Sequence, residues 1–312
     1  MTHAPKCLIL HQGALGDLIV CLTAVLRAKG DLHIGLFCRE GLMPMARHLK
    51  LAEPVYCVET REFGRLLSGR TSDHLRSVFS GYSTIIAFSF SEDLVSGIRR
   101  MAPCPVVRVP PRPEAHFRVH VADFLVHRLA GIFPKKDRSV IFPFPCPDPA
   151  SAGPVLIHPG SGSLRKNWPP DDFIRIYRSL NHTGKACGWV VGPAETFMIK
   201  ELRQKGVKRD DIHVLNGLID FISHLKRSSG MIGNDSGLSH LAAFLGHRVI
   251  AVFGPSDPVR WKPLGPGALS LRPETACTPC FEINPENCGD PVCLKRTTAE
   301  DILTKLKTRC FV

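Results

Sequence analysis

Residues 230–254 read GMIGNDSGLSHLAAFLGHRVIAVFG, and three textures follow one another along them. A short apolar run, 230–234, gives way to a polar turn. Leu238, Leu241, Ala242 and Leu245 then recur at i, i+3, i+4 and i+7, and a second apolar run occupies 247–254. The pattern is strand, helix, strand. Asp235 or Ser236 caps the helix start and Gly246 closes its end. Two strands joined through a helix lie parallel, so the stretch commits the chain to βαβ architecture. The first turn, 236–239, is small and offers free N–H groups, which makes it a ready anion site. His240, taken by itself, reads as a satisfied structural histidine.

Outward from this unit the alternation repeats. Strands are expected at 154–160, 186–192 and 211–215 on its N-terminal side, with helix-like segments between them. The first half of the chain carries a second such series at 7–12, 32–38, 54–58, 84–89 and 105–110. The helix after 7–12 is expected to stop at Gly30. Between the two series, residues 133–154 hold six prolines and no helical period. Proline at that density breaks helix and sheet alike, which marks a linker. The expectation is an α/β protein with two Rossmann-like domains, 1–145 and 146–312, facing across a cleft. In such sheets ligands bind beyond the carboxyl ends of the strands.

Bulk properties narrow the function classes. At 312 residues, 44% apolar and 22% charged, the composition is that of a globular protein with room for two cores. No apolar run approaches the roughly 20 residues that span a bilayer, and the N-terminal stretch lacks the pattern of an export signal, so a cytoplasmic location is expected. Twelve cysteines in that setting argue against a disulfide framework. Most of them, such as Cys7, Cys38 and Cys187, read as small core residues. Residues 1–150 hold 19 Lys/Arg against 13 Asp/Glu and the remainder 21 against 15, so each half carries +6. A basic excess spread so evenly suits phosphorylated small molecules or an anionic membrane face, and no basic block points to nucleic acid.

Three further loops could carry chemistry. In HQGALGDL, 11–18, a strand ends, Gly13 and Gly16 permit a tight turn, and Asp17 opens a helix. The Gly-x-x-Gly spacing falls short of a dinucleotide fingerprint. On spacing alone Asp17 is first a helix-start carboxylate favoured by the macrodipole, and second a candidate base for a substrate hydroxyl. In HPGSGSLRKNWPPDDF, 158–173, small residues allow close backbone approach while Arg165 and Lys166 can neutralise a phosphate. An ordinary solvated turn would use the same Ser and Gly residues. In CTPCFEINPENCGDPVC, the cysteines Cys277, Cys280, Cys288 and Cys293 could hold zinc or iron tetrahedrally. Their overall spacing is that of no standard ribbon or finger, and a loop of reduced thiols accounts for it equally. The chain has no Walker loop, HExxH, GxSxG or Asp-x-Asp, so cationic side chains and a helix N-terminus would have to grip any diphosphate.

In order along the chain, GALGDLIVCLTAVLRA, IHPGSGSLRKNWPPDDFIRI and GNDSGLSHLAAFLGHRVIAVFGPSDPVRWKP resemble the bacterial ADP-heptose:lipopolysaccharide heptosyltransferases, glycosyltransferase family nine. The third stretch is similar to that family's Asp-Ser/Thr-Gly-x-x-His-x-Ala-Ala element with its Phe-Gly-Pro-Ser/Thr-Asp-Pro loop. The resemblance implies a GT-B fold, with an N-terminal acceptor-side domain and a C-terminal nucleotide-sugar domain. It implies inverting transfer of heptose from ADP-heptose to the lipopolysaccharide inner core. No metal is obligatory, although a structural zinc or iron at the four cysteines is compatible with it. Asp17 would be the general base. Gly16, Ser161, Lys166, Asp235, Ser236, Gly237, Leu238 and His240 would bind the donor. The implied partner is a lipid-linked saccharide, reached through peripheral contact with the inner face of the inner membrane. Two rival readings are a protein (autotransporter) heptosyltransferase with a cysteine-bound metal and a nucleotide-binding protein without transferase activity.

Overall fold

The computed structural model describes residues 6–28, 33–133, 153–284, 286 and 288–308. The chain divides into two compact units, Met1–Glu114 with Val121–Ile141, and Ala115–His120 with Phe142–Val312. The proline-rich stretch read as a linker falls, from 134 to 152, outside the described residues, and so does Gly30.

The first unit is built on β1 (Lys6–His11), β2 (His33–Cys38), β3 (Val55–Cys57), β4 (Thr84–Phe88) and β5 (Val106–Val109). They form one sheet in the order β3-β2-β1-β4-β5, with every pair parallel. After its first residue β1 is buried throughout, as expected of a central strand covered on both faces. Helix α1 (Leu15–Ala28) follows at once. On one face of the sheet Leu8, Leu10, Phe37, Phe63 and Phe79 form a core.

The second unit contains β6 (Val155–His158), β7 (Cys187–Val191), β8 (Ile212–Val214), β9 (Gly230–Asn234), β10 (Val249–Val252) and β11 (Ala268–Leu271). Their order is β11-β10-β9-β6-β7-β8, again parallel. Counted from β6, this is the 3-2-1-4-5-6 order of a doubly wound dinucleotide fold. The direction of winding reverses between β6 and β9, and in such sheets ligands bind at that point, beyond the strands' carboxyl ends. Helix α2 (Pro170–His182) starts on a proline at its first position, where the missing N–H costs nothing. Trp168, fully buried, meets Phe173 edge to face at 4.9 Å, and Phe173 in turn meets Trp189 of β7 at 6.5 Å. Each large apolar side chain so removed from water contributes about 1.5–3 kcal/mol.

Helix α3 (Gly237–Phe244) departs from the one-sided burial expected of it. Leu241, Ala242, Ala243 and Phe244 are all fully buried, and so are Ser239 and His240. Only Gly237 and Leu238, at the start, are partly exposed. Leu238 therefore belongs to the open end of the helix and not to a buried stripe. A helix covered on all sides shows no stripe. Leu245 is the C-cap, and Gly246 follows at φ 82°, the left-handed conformation that glycine adopts without steric cost.

Candidate active site

The loops after β6 and β9 meet at the reversal point of the second sheet. Asn234, completely buried at the end of β9, donates from Nδ2 to the Pro159 carbonyl at 2.7 Å. Its Oδ1 accepts the Trp168 backbone N–H at 3.0 Å, and the Trp168 indole donates to the Thr297 carbonyl at 3.0 Å. One amide thus spans both ends of the 159–168 loop, and a core tryptophan anchors it.

Within that frame Lys166 Nζ lies 3.1 Å from Asp235 Oδ2, with side chains only 15% and 8% exposed. His240 Nε2 lies 3.6 Å from Asp235 Oδ1. That is longer than a well-formed hydrogen bond, so its pull on the carboxylate is chiefly electrostatic. Burial alone would raise the Asp235 carboxyl, but His240 and the Lys166 ammonium outweigh it and hold it at about 2. The Ser256 hydroxyl also favours the charged form, although it makes no hydrogen bond of standard geometry. The result is a buried carboxylate flanked by a cation and an imidazole.

Beside it, Ser236 caps α3. Its Oγ accepts the Ser239 N–H at 3.3 Å, and Ser239 Oγ donates back to the Asn234 carbonyl at 2.7 Å. The cap consumes one of the four N–H groups expected to be free. No described acceptor takes those of Gly237 and Leu238, and they stand at the positive end of the helix. Ser161, also expected at the site, directs its hydroxyl at the Ser163 carbonyl, 2.6 Å, and at Asn167 Oδ1, 2.7 Å. It shapes the loop from within.

In the first unit Asp17 is half-buried in the first turn of α1, directly after Gly16. The turn is tied on two sides. Arg39 Nε donates to the Gln12 carbonyl at 2.8 Å, and the Gly13 N–H donates to His11 Nδ1 at 3.3 Å. Burial pushes the His11 imidazole down to about 4, against the attraction of Asp17 and with help from Arg39.

Comparison with known proteins adds to this geometry. The model of glycosyltransferase family 9 (heptosyltransferase) matches residues 136–288, which include both loops at the reversal point. Over that stretch, just under half of the chain, the sequence is similar to glycosyltransferase family 9. Solved structures share the fold at low identity. A family 9 glycosyltransferase from Veillonella parvula is 18% identical, with a TM-score of 0.76, over 99% of this chain and 98% of that one. The ADP-heptose lps heptosyltransferase II of E. coli is 16% identical, with a TM-score of 0.74, over 98% of each chain. The iron-containing dodecameric glycosyltransferase TibC of enterotoxigenic E. coli is 15% identical, with a TM-score of 0.60, over 98% of this chain and 76% of that one. No curated protein matches the chain at a significant level.

The cysteine-rich loop holds its thiols at different depths. Cys277 and Cys288 are exposed, Cys280 is half-buried and Cys293 is buried. Among the described residues no group of three or more His, Cys, Asp or Glu side chains is arranged to hold a metal ion. The loop does other work. Phe281 lies 5.2 Å from both Arg165 and Lys166 in cation–π contact, and Arg165 donates to the Asn284 carbonyl at 2.6 Å. Glu282 pairs with the fully buried Arg260 at 2.7 Å. The Cys280 and Phe281 N–H groups both donate to the Pro255 carbonyl. The loop is thus a wall of the Lys166 site.

One site residue escaped the sequence reading. Glu195, buried just past β7, accepts the Gly192 N–H at 3.0 Å. A Cβ on Gly160 would lie 2.3 Å from its other oxygen, so the loop after β6 runs directly over this carboxylate. An acid following the second strand of a dinucleotide fold is placed for ribose hydroxyls. That position, visible in the sequence once 154–160 and 186–192 are taken as consecutive strands, was the available signal. Neighbouring His158, at the end of β6, bonds to the Val190 carbonyl at 3.1 Å, and burial lowers its basicity.

Proposed function

We propose that this transferase moves heptose from ADP-heptose to a hydroxyl of the lipopolysaccharide inner core, with inversion at the anomeric carbon. The observation that carries the reading is the buried Lys166–Asp235–His240 group beside the open N–H groups of Gly237 and Leu238. Cation and helix end together suit a diphosphate, and no Asp-x-Asp metal grip is present in the sequence. Glu195 accepts from the ribose hydroxyls. The similarity in fold to a protein described as an ADP-heptose lps heptosyltransferase supports the choice of donor.

In the mechanism Asp17 takes the proton of the acceptor hydroxyl as its oxygen attacks the anomeric carbon. The bond from that carbon to the phosphate oxygen breaks, and ADP leaves with the electron pair. Lys166 and the α3 N–H groups receive the charge that develops on the diphosphate. Fixed donors of this kind act without reorganising at the moment of reaction, which is why they favour the transition state. The acceptor is lipid-linked, so the chain works at the cytoplasmic face of the inner membrane by peripheral contact. Its formal charge of +12 favours an anionic surface, and no described helix is long and apolar enough to cross one.

A panel of nucleotide sugars tests the donor. ADP-heptose should raise the melting temperature and release ADP only when a heptose-deficient lipopolysaccharide acceptor is present. Preferential consumption of a uridine or guanosine sugar would overturn the reading. Similarity in fold to TibC motivates a second acceptor class, protein. Transfer to an autotransporter polypeptide but not to lipopolysaccharide, with stoichiometric iron in the purified protein, would select it.

A further inference from the structure

We propose that His11 is the positioning residue of the base: its ring nitrogen holds the glycine turn that carries Asp17 at the reacting hydroxyl. The proposal rests on the reading of Asp17 as general base.

His11 ends the central strand β1, whose other inward residues, Cys7 through Leu10, are apolar. At 2% exposure an apolar side chain would fill the same space without the cost of burying a polar ring. The ring is therefore there for its polarity, and its Nδ1 has one partner, the N–H of Gly13, two residues on. That bond closes the turn directly after the strand. Gly13 is the mechanical link to the base. A Cβ built on it would stand 2.6 Å from His11 Cε1. The same Cβ would stand 3.0 Å from Asp17 Cβ and 3.2 Å from Asp17 Oδ2. Imidazole and carboxylate thus border the same small space on the open side of Gly13, so a shift of the ring disturbs the turn and the carboxylate beside it.

The protonation state fits the task. An imidazole that accepts at Nδ1 carries its proton on Nε2, the tautomer that this bond assigns. Burial keeps the ring neutral at neutral pH, so it supports Asp17 without placing a full positive charge against it. Phe88 of β4, with ring centroids 6.4 Å apart, backs the imidazole on the side of the neighbouring strand. Arg39 holds the Gln12 carbonyl from the side of β2, so the turn is fixed from both neighbours of β1.

Three variants separate positioning from packing. His11→Leu fills the volume without an acceptor. His11→Asn keeps an oxygen near the Nδ1 position. His11→Gln carries its amide one bond farther out. With the donor selected by the nucleotide-sugar panel, His11→Leu and His11→Gln should lower kcat by about 10–100-fold, the order expected for a misplaced catalytic group. The KM for nucleotide sugar should stay within about twofold, and His11→Asn should recover most of the lost turnover. Wild-type kcat in His11→Leu would overturn the proposal, as would equal losses in His11→Asn and His11→Gln. The second comparison stands even where the leucine variant does not fold. Asp17→Asn is assayed beside them. If it turns over like wild type, the base reading itself fails. If it is inactive while His11→Leu is unaffected, only the positioning role is lost.

Discussion

Replacing Lys166 by Met tests whether the buried ion pair is the electrostatic centre of the donor site. At 3.1 Å and an effective dielectric constant of about 20, the attraction between Lys166 and Asp235 is about 5 kcal/mol, an upper bound before desolvation is subtracted. Removing one partner of a buried pair typically costs about 3–5 kcal/mol, because the other charge is left in low dielectric. Asp235 keeps His240 at 3.6 Å, so the low end, about 3 kcal/mol, is expected. For a unit of this size that corresponds to a fall of roughly 6–12 °C in Tm. The sign in pH follows from the depressed carboxyl. Asp235 titrates at about 2 in the folded protein against 3.8 ordinarily. Its contribution is complete above pH 3.8 and is lost as pH falls towards 2. In Lys166→Met that contribution shrinks, and acid unfolding begins at higher pH. All three tryptophans, Trp168, Trp189 and Trp261, lie in the second unit, so urea unfolding followed by tryptophan fluorescence reports this unit alone. Lys166→Met/Asp235→Asn should be less destabilised than the sum of the single variants by about 2 kcal/mol. A loss below about 0.5 kcal/mol in Lys166→Met, with additive single effects, would instead mark the pair as solvent-screened.

Two further outcomes follow from the geometry. Glu195→Gln should weaken ADP binding about tenfold in calorimetry, and Gly160→Ala should do the same, since its methyl group would displace the Glu195 carboxylate; unchanged affinity in both removes Glu195 from the site. His247, buried and pushed down to about 4 by burial and by the Lys226 charge, binds its proton in the unfolded chain first. It therefore costs stability as pH falls from 6.5 towards 4, by at most about 2 kcal/mol at pH 5, and His247→Gln should flatten that slope in urea titrations between pH 7 and 5.

Much of this architecture is legible in the order of residues because a parallel sheet writes buried strands as apolar runs. Strands β1 to β10 each coincide with such a run. β11 does not: Ala268–Leu271 is a short stretch between glycines and prolines, only half-buried. It becomes a strand by pairing with β10, Val249 against Ala268. The same limit hid the company kept by residues 115–120. Arg118 pairs with Asp257 at 3.2 Å and His120 with the Lys262 carbonyl at 3.0 Å, contacts between stretches about 140 residues apart that leave no local pattern. At the site, Lys166 and Asp235 were readable as loop residues after strands. Their pairing was not, because it depends on β6 and β9 being neighbours in the sheet. The sequence left His240 between core and site; in the structure it is buried in α3 with Nε2 3.6 Å from Asp235. Glu195 was missed since no motif surrounds it, only its place after the second strand.

The most direct test of the account is single-turnover transfer from ADP-heptose to heptose-deficient lipopolysaccharide by the wild-type protein and by Asp17→Asn, with ADP affinity measured on the same preparations. The variant should transfer about 10²–10⁴-fold more slowly, with an ADP Kd within about twofold of wild type. An unchanged rate, or a rate and an ADP affinity that collapse together, would contradict it.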